Sequence, residues 1–100
     1  MAVGLILEFD GIGRDVYEAV NTRLGIDMNS GAGDWPAGLL SHAGGLAENG
    51  SLVVMEIWES RDAQGRFMQD RLGRALAEGG VTAQPRITWV DLAAYHTPGR

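Results

Sequence analysis

The segment Glu48-Asn49-Gly50 constrains this chain more than any other. It sits between two β-rich runs, 39–47 and 51–59. Asn-Gly between apolar-polar alternations is a hairpin signal, and a Gly in third place suits a three-residue loop closed by a left-handed residue. If Glu48, Asn49 and Gly50 form the loop, Ala47 pairs with Ser51. Counting back sets Gly44 opposite Val54, His42 opposite Glu56 and Leu40 opposite Trp58. Directly opposed Cβ atoms lie about 4.5–5.5 Å apart, so this register predicts contact between His42 and Glu56. A two-residue Asn-Gly turn would shift the register by one and separate them.

The flanking segments complete the order. Residues 3–10 alternate as a strand, and Gly11 and Gly13 break it. The spacing of Val16, Ala19, Val20 and Leu24 predicts a helix over 14–24 with Gly25 as C-cap. A loop over 27–38, rich in glycine and carrying Trp35-Pro36, is long for a small domain and is a candidate lid. Ser60 caps a second helix over 61–78, with Ala63, Phe67, Met68, Leu72, Ala75 and Leu76 as its apolar stripe. Pro85 precedes a fourth strand over 86–94, whose facing stays open, and residues 96–100 are expected to fray. The order β-α-β-β-α-β is an α+β, ferredoxin-like split βαβ arrangement with one four-stranded antiparallel sheet. It is expected to form a single domain over 1–96 with a tail over 97–100.

Two helices cover one face of such a sheet. We expect Leu5, Leu7 and Phe9 of the first strand, and Val53, Met55 and Ile57 of the third, to face the helices. The other face would then carry Ile6, Glu8, Val54, Glu56, Trp58, Leu40 and His42. An exposed apolar surface with embedded charges calls for a partner, and a two-fold homodimer is the simplest.

Composition removes several function classes. There is no cysteine and no lysine, so thiolate and Schiff-base chemistry are excluded. Thirteen acids against eight arginines give a net charge of −5, which disfavours nucleic acid. No apolar run approaches a membrane span and no basic leader is visible, so no membrane association is expected and the protein is read as cytoplasmic. Gly11-Ile12-Gly13 lacks the third glycine of a dinucleotide fingerprint, with Val16 in its place, and reads as a turn. No P-loop or His-Glu-x-x-His occurs.

The block Gly38-Leu39-Leu40-Ser41-His42-Ala43-Gly44, the Glu48-Asn49-Gly50 turn, and Val53-Val54-Met55-Glu56-Ile57-Trp58-Glu59-Ser60 through Phe67 to Arg71-Leu72 resembles the dimeric α/β barrel superfamily. The similar branch is that of the antibiotic-biosynthesis monooxygenases, among small actinobacterial proteins of unknown function. The resemblance implies a homodimer with facing sheets and a small apolar cavity in each subunit. Members include cofactor-free monooxygenases, polyketide cyclases, haem-degrading enzymes and proteins with no known activity, so fold alone selects no chemistry.

The candidate catalytic residues are His42, Glu56 and Glu8. A carboxylate beside an imidazole orients the ring for proton transfer near neutral pH. The alternative reading is a satisfied buried hydrogen bond that holds sheet register. Trp58, Leu40, Ile6, Val54 and Trp35 are the candidate substrate-binding set, while Tyr17 and Tyr95 could donate to a ligand but have no predicted position. Glu8, His42 and Glu56 make a thin metal set without motif spacing, so no metal and no cofactor are expected. Haem would have only His42 as a plausible axial ligand. The leading expectation is a cofactor-independent oxygenation or cyclisation of a small aromatic or polyketide-like molecule. The alternatives are a non-catalytic binding dimer and a purely structural one.

Overall fold

A computed structural model describes residues 2–27, 30–81 and 84–96. Its elements run β1 (Val3–Phe9), α1 (Arg14–Leu24), β2 (Leu39–Leu46), β3 (Leu52–Trp58), α2 (Arg61–Phe67), a π-helical turn (Met68–Leu72), α3 (Gly73–Glu78) and β4 (Arg86–Asp91). The strands form one antiparallel sheet in the order β2-β3-β1-β4. This is the expected ferredoxin-like α+β fold. The expected tail at 97–100 lies outside the described residues. Among the described residues no helix is long and apolar enough to cross a membrane.

Local chemistry accounts for the boundaries. Gly25 takes the left-handed conformation (φ 79°) and closes α1 by donating its N–H to the Asn21 and Thr22 carbonyls. Ser60 caps α2, its Oγ accepting from the Ala63 N–H at 3.1 Å. The hairpin has the three-residue loop read from the sequence: Ala47 N–H donates to Ser51 O at 2.8 Å, and Gly50 has φ 89°. The second helix is not the uninterrupted one expected over 61–78. Gly73 donates its N–H to the Met68 carbonyl five residues back, so one turn widens into a π-helix. A Cβ at position 73 would lie 3.0 Å from that carbonyl oxygen, so glycine suits this break.

The register His42↔Glu56 and Gly44↔Val54 is observed. Leu40 does not pair with Trp58. A bulge between Leu39 and Ser41 sets Leu39 opposite Trp58 and leaves Leu40 exposed.

The expected facing of β3 is inverted. Leu5, Leu7 and Phe9 do face the helices, but their partners across the ladder are Glu56, Val54 and Leu52. With Trp58 these residues are buried beneath α1, α2 and α3, where Val20, Leu24, Phe67 and Ala75 complete the core. Val53, Met55 and Ile57 lie on the open face with Ile6 and Glu8, and Met55 is 52% exposed. The physical reason is that either set of β3 is apolar enough to be core. Burying Trp58 outweighs burying one carboxylate, provided that carboxylate is hydrogen-bonded. In β4, Trp89 takes the helix side, with the Arg61 guanidinium 4.7 Å above its ring, while Val90 packs beside Gly4 on the open face.

Candidate functional site

The inverted facing places His42 and Glu56 inside the subunit, between sheet and helices. Their side chains are 11% and 6% exposed. Glu56 Oε2 meets His42 Nδ1 at 2.7 Å, and Glu56 Oε1 accepts from Trp58 Nε1 at 3.0 Å. The other imidazole nitrogen, Nε2, lies 2.7 Å from the Tyr17 hydroxyl. Four side chains from α1, β2 and β3 thus form one line, Tyr17–His42–Glu56–Trp58. The Tyr17 and His42 ring planes are parallel within 1° at a centroid separation of 6.2 Å.

Proton positions follow from this network. Burial pushes the Tyr17 phenol above its ordinary pKa, and the Glu56 charge adds to the rise against the pull of the Asn21 amide. Tyr17 therefore keeps its proton at neutral pH. A carboxylate only accepts, so it takes the Trp58 N–H and the Nδ1 proton of His42. In the neutral imidazole, His42 Nε2 is then left as the acceptor of the Tyr17 hydroxyl.

Tyr17, His42 and Glu56 border a cavity of about 60 Å³. At ~10–15 Å³ per water, that is room for a few waters. Its wall is apolar, built by residues such as Leu7, Val20, Leu39, Val54 and Phe67, with Tyr17, Asn21, His42 and Glu56 as its polar members. Asn21 is 7% exposed, and its Nδ2 finds no hydrogen-bond partner among the described residues.

Trp35 and Pro36, from the described part of the 27–38 loop, border one side. Trp35 lines the cavity, with its ring 5.7 Å from that of His42, and its Nε1 donates to Gly31 O at 2.9 Å. Asn29 of this loop lies outside the described residues. Arg71, in the π-helical turn, pins the loop to the end of α1. Its Nη2 donates to Leu24 O at 2.8 Å and Asp34 O at 2.6 Å, with the Asp34 carboxylate at 3.3 Å.

Of the residues singled out from sequence, His42, Glu56, Val54 and Trp35 meet at this cavity. Trp58 is wholly buried behind Glu56 and forms no part of the wall. Glu8 and Ile6 are not at the site, because strand alternation turns them to the opposite face. There Glu8 meets Arg86 at 3.4 Å. The three candidate metal ligands therefore do not converge, and no group of three such side chains occurs among the described residues. Leu40 is removed by the bulge, with Leu39 in its place. Tyr95 and His96 are exposed near the end of the chain. Sequence reasoning missed the positions of Tyr17, Asn21 and Arg71. The signal for the first two was helical spacing, since 17, 20, 21 and 24 share one face of α1.

No protein-family model and no curated protein matches this sequence. Solved structures do match in fold. A monooxygenase from Streptomyces coelicolor, ActVA-Orf6, solved with nanaomycin D, is 20% identical with a TM-score of 0.61, over 98% of this chain and 93% of that one. SnoaB, a cofactor-independent oxygenase from Streptomyces nogalater, is 16% identical with a TM-score of 0.56, over 99% and 97%. The fold is that of the antibiotic-biosynthesis-monooxygenase-like proteins. A protein of unknown function from Nitrosomonas europaea has the same architecture (TM-score 0.69, 13% identity, 99% and 96% covered), and a shared architecture does not by itself assign an activity.

Proposed function

We propose that this protein binds a small aromatic or polyketide-like molecule between its sheet and helices and acts on it by cofactor-independent proton transfer, leading to oxygenation or cyclisation. The observation that carries the reading is His42 itself. An imidazole at an apolar cavity wall, oriented by a buried carboxylate through Nδ1, presents Nε2 as a base. Proton removal from a phenol or enol of the ligand gives an electron-rich anion. That anion can react with dioxygen or add to an internal carbonyl. Glu56 stabilises the imidazolium formed, and Trp58 holds Glu56 in place. The fold shared with a cofactor-independent oxygenase and with a monooxygenase that binds nanaomycin D supports this class.

The test is dioxygen uptake and product formation with hydroxynaphthalenes, comparing wild type with His42→Ala. Loss of a general base should lower turnover by ~10²–10⁴-fold. Unchanged turnover in the variant would remove His42 from the chemistry.

The cavity volume favours one competing reading, a homodimer in which the polar line serves structure alone, because ligand pockets usually measure ~300–1,000 Å³. It predicts wild-type protein that neither binds nor turns over such compounds. Both readings include a homodimer, formed by packing the open faces around Ile6, Val53, Met55 and Ile57. Met55→Arg should shift wild-type dimer to monomer in sedimentation velocity. Wild type that sediments as a monomer at all concentrations would reject that assembly.

A further inference from the structure

We infer that Tyr17 is a movable gate whose hydroxyl occupies the place of a ligand hydroxyl on His42, so that a ligand is admitted by exchanging its own hydroxyl for that of Tyr17. The inference rests on the binding site set out under Proposed function, and adds to it the route and the feature selected.

A second, larger space lies outside the cavity. It is a groove of about 420 Å³ between Arg14, Tyr17 and Glu18 of α1 and Gly44, Gly45 and Leu46 of β2, with Leu52 at its base. Tyr17 and Leu52 border both spaces. Leu52 belongs to a central strand and is buried, whereas Tyr17 extends from a surface helix and is half-buried. Rotation of the Tyr17 side chain into the groove would therefore join the two. Joined, they fall within the ~300–1,000 Å³ of ordinary small-molecule sites.

The strand beneath is shaped for this side chain. A Cβ at Gly44 would stand 2.4 Å from the Tyr17 oxygen and 2.6 Å from its Cζ. Gly44 has no left-handed conformation to explain it, so glycine here provides clearance for the phenol.

With Tyr17 rotated out, His42 Nε2 loses its hydrogen-bond donor. A ligand without a hydroxyl would leave this buried acceptor unpaired, which selects against it. A phenol or enol restores the bond that Tyr17 now makes. Asn21 Nδ2, buried, acting on the Tyr17 oxygen and otherwise unpartnered among the described residues, is set free by the same rotation and offers a donor to a second oxygen of the ligand, such as a carbonyl.

The test titrates 1-naphthol and naphthalene into wild type, Tyr17→Phe, Gly44→Ala and His42→Gln, following tryptophan fluorescence. Tyr17→Phe keeps the ring but frees Nε2, and should bind 1-naphthol about tenfold more tightly without a matching gain for naphthalene. A tenfold change is about 1.4 kcal/mol. Gly44→Ala displaces an intact Tyr17 and should also tighten 1-naphthol binding. If Gly44→Ala does not fold, Tyr17→Phe alone decides. Equal or weaker binding of 1-naphthol by Tyr17→Phe, with binding still lost in His42→Gln, overturns the gate and leaves the binding site standing. Binding that ignores His42→Gln, or is absent from every variant, overturns both.

Discussion

Glu56→Gln tests the proton arrangement with almost no change of shape. In the native protein both carboxylate oxygens accept, from His42 Nδ1 at 2.7 Å and from Trp58 Nε1 at 3.0 Å. Glutamine has one oxygen and one NH₂. Trp58 Nε1 only donates, so the glutamine oxygen must face it and the NH₂ must face His42. An NH₂ cannot meet an Nδ1–H, so the imidazole proton moves to Nε2. Nε2–H then donates to the Tyr17 oxygen and is no longer a base. Two charge-assisted bonds of about 1.5–3 kcal/mol each become neutral ones of about 0.5–1.5. The variant also ceases to bury a carboxylate that is 6% exposed, which in itself costs several kcal/mol. These terms oppose each other, so the net stability change should stay within about 2 kcal/mol. Function should not be spared in the same way. Nitrogen-15 NMR of histidine-labelled protein reads the tautomer, urea unfolding reads stability, and turnover should fall by ~10²-fold or more. A variant whose His42 still carries its proton on Nδ1 would refute the assigned chain of donors. Normal turnover with an inverted tautomer would refute His42 as the base.

Trp58→Phe removes the Nε1 donor to a buried carboxylate and leaves a gap in a fully buried site. The unsatisfied oxygen costs about 1–3 kcal/mol, and a gap of ~40 Å³ adds about 1 kcal/mol. Urea unfolding should therefore show a loss of about 2–4 kcal/mol, and a loss below about 1 would deny Glu56 its dependence on Trp58. The buried Tyr17 phenol gives a pH signature. Its folded pKa lies above the ordinary value near 10, so the folded state holds the proton more tightly than the unfolded state does. That stabilising difference is complete below about pH 10 and is lost as pH rises through the folded value. Wild type should lose stability above pH 10 more steeply than Tyr17→Phe, and parallel curves would contradict the burial. Ser60→Ala removes the cap of α2 and should cost about 1 kcal/mol in thermal or urea unfolding.

Much of this fold is legible in local patterns. The Glu48-Asn49-Gly50 loop sets the β2–β3 register, and that register alone brings His42 to Glu56. Gly25 and Ser60 mark helix ends through their own backbone and side-chain chemistry. The facing of β3 is not local. Leu52, Val54, Glu56 and Trp58 form one set, and Val53, Met55 and Ile57 the other. Avoiding a buried charge favours the second set, the wrong choice here. What rescues the first set is the hydrogen bond from Trp58 two residues along, with His42 from the neighbouring strand, a tertiary fact that alternation does not display. The bulge at Leu40 and the π-helical turn before Gly73 change periodicity within an element, and no single residue type announces either. Glu8 left the candidate site with the inversion, and Tyr17 joined it through helix docking.

A polar line through the core of a 100-residue domain needs a reason, since buried ionic groups are often replaceable by apolar ones at no loss of stability. Fixing register is one such reason, but the hairpin loop already fixes the register of β2 on β3. A structural network would also close on itself, because a half-satisfied buried network is less favourable than an apolar core. Here the line is satisfied from Trp58 through Glu56 and His42 to Tyr17, and Asn21 at its helical end holds a buried donor that, among the described residues, acts on nothing but the Tyr17 oxygen. The satisfied end lies at the sheet and the unsatisfied end at the helix that carries Tyr17. That asymmetry suits a site whose rigid part is the base and whose movable part makes way for a ligand.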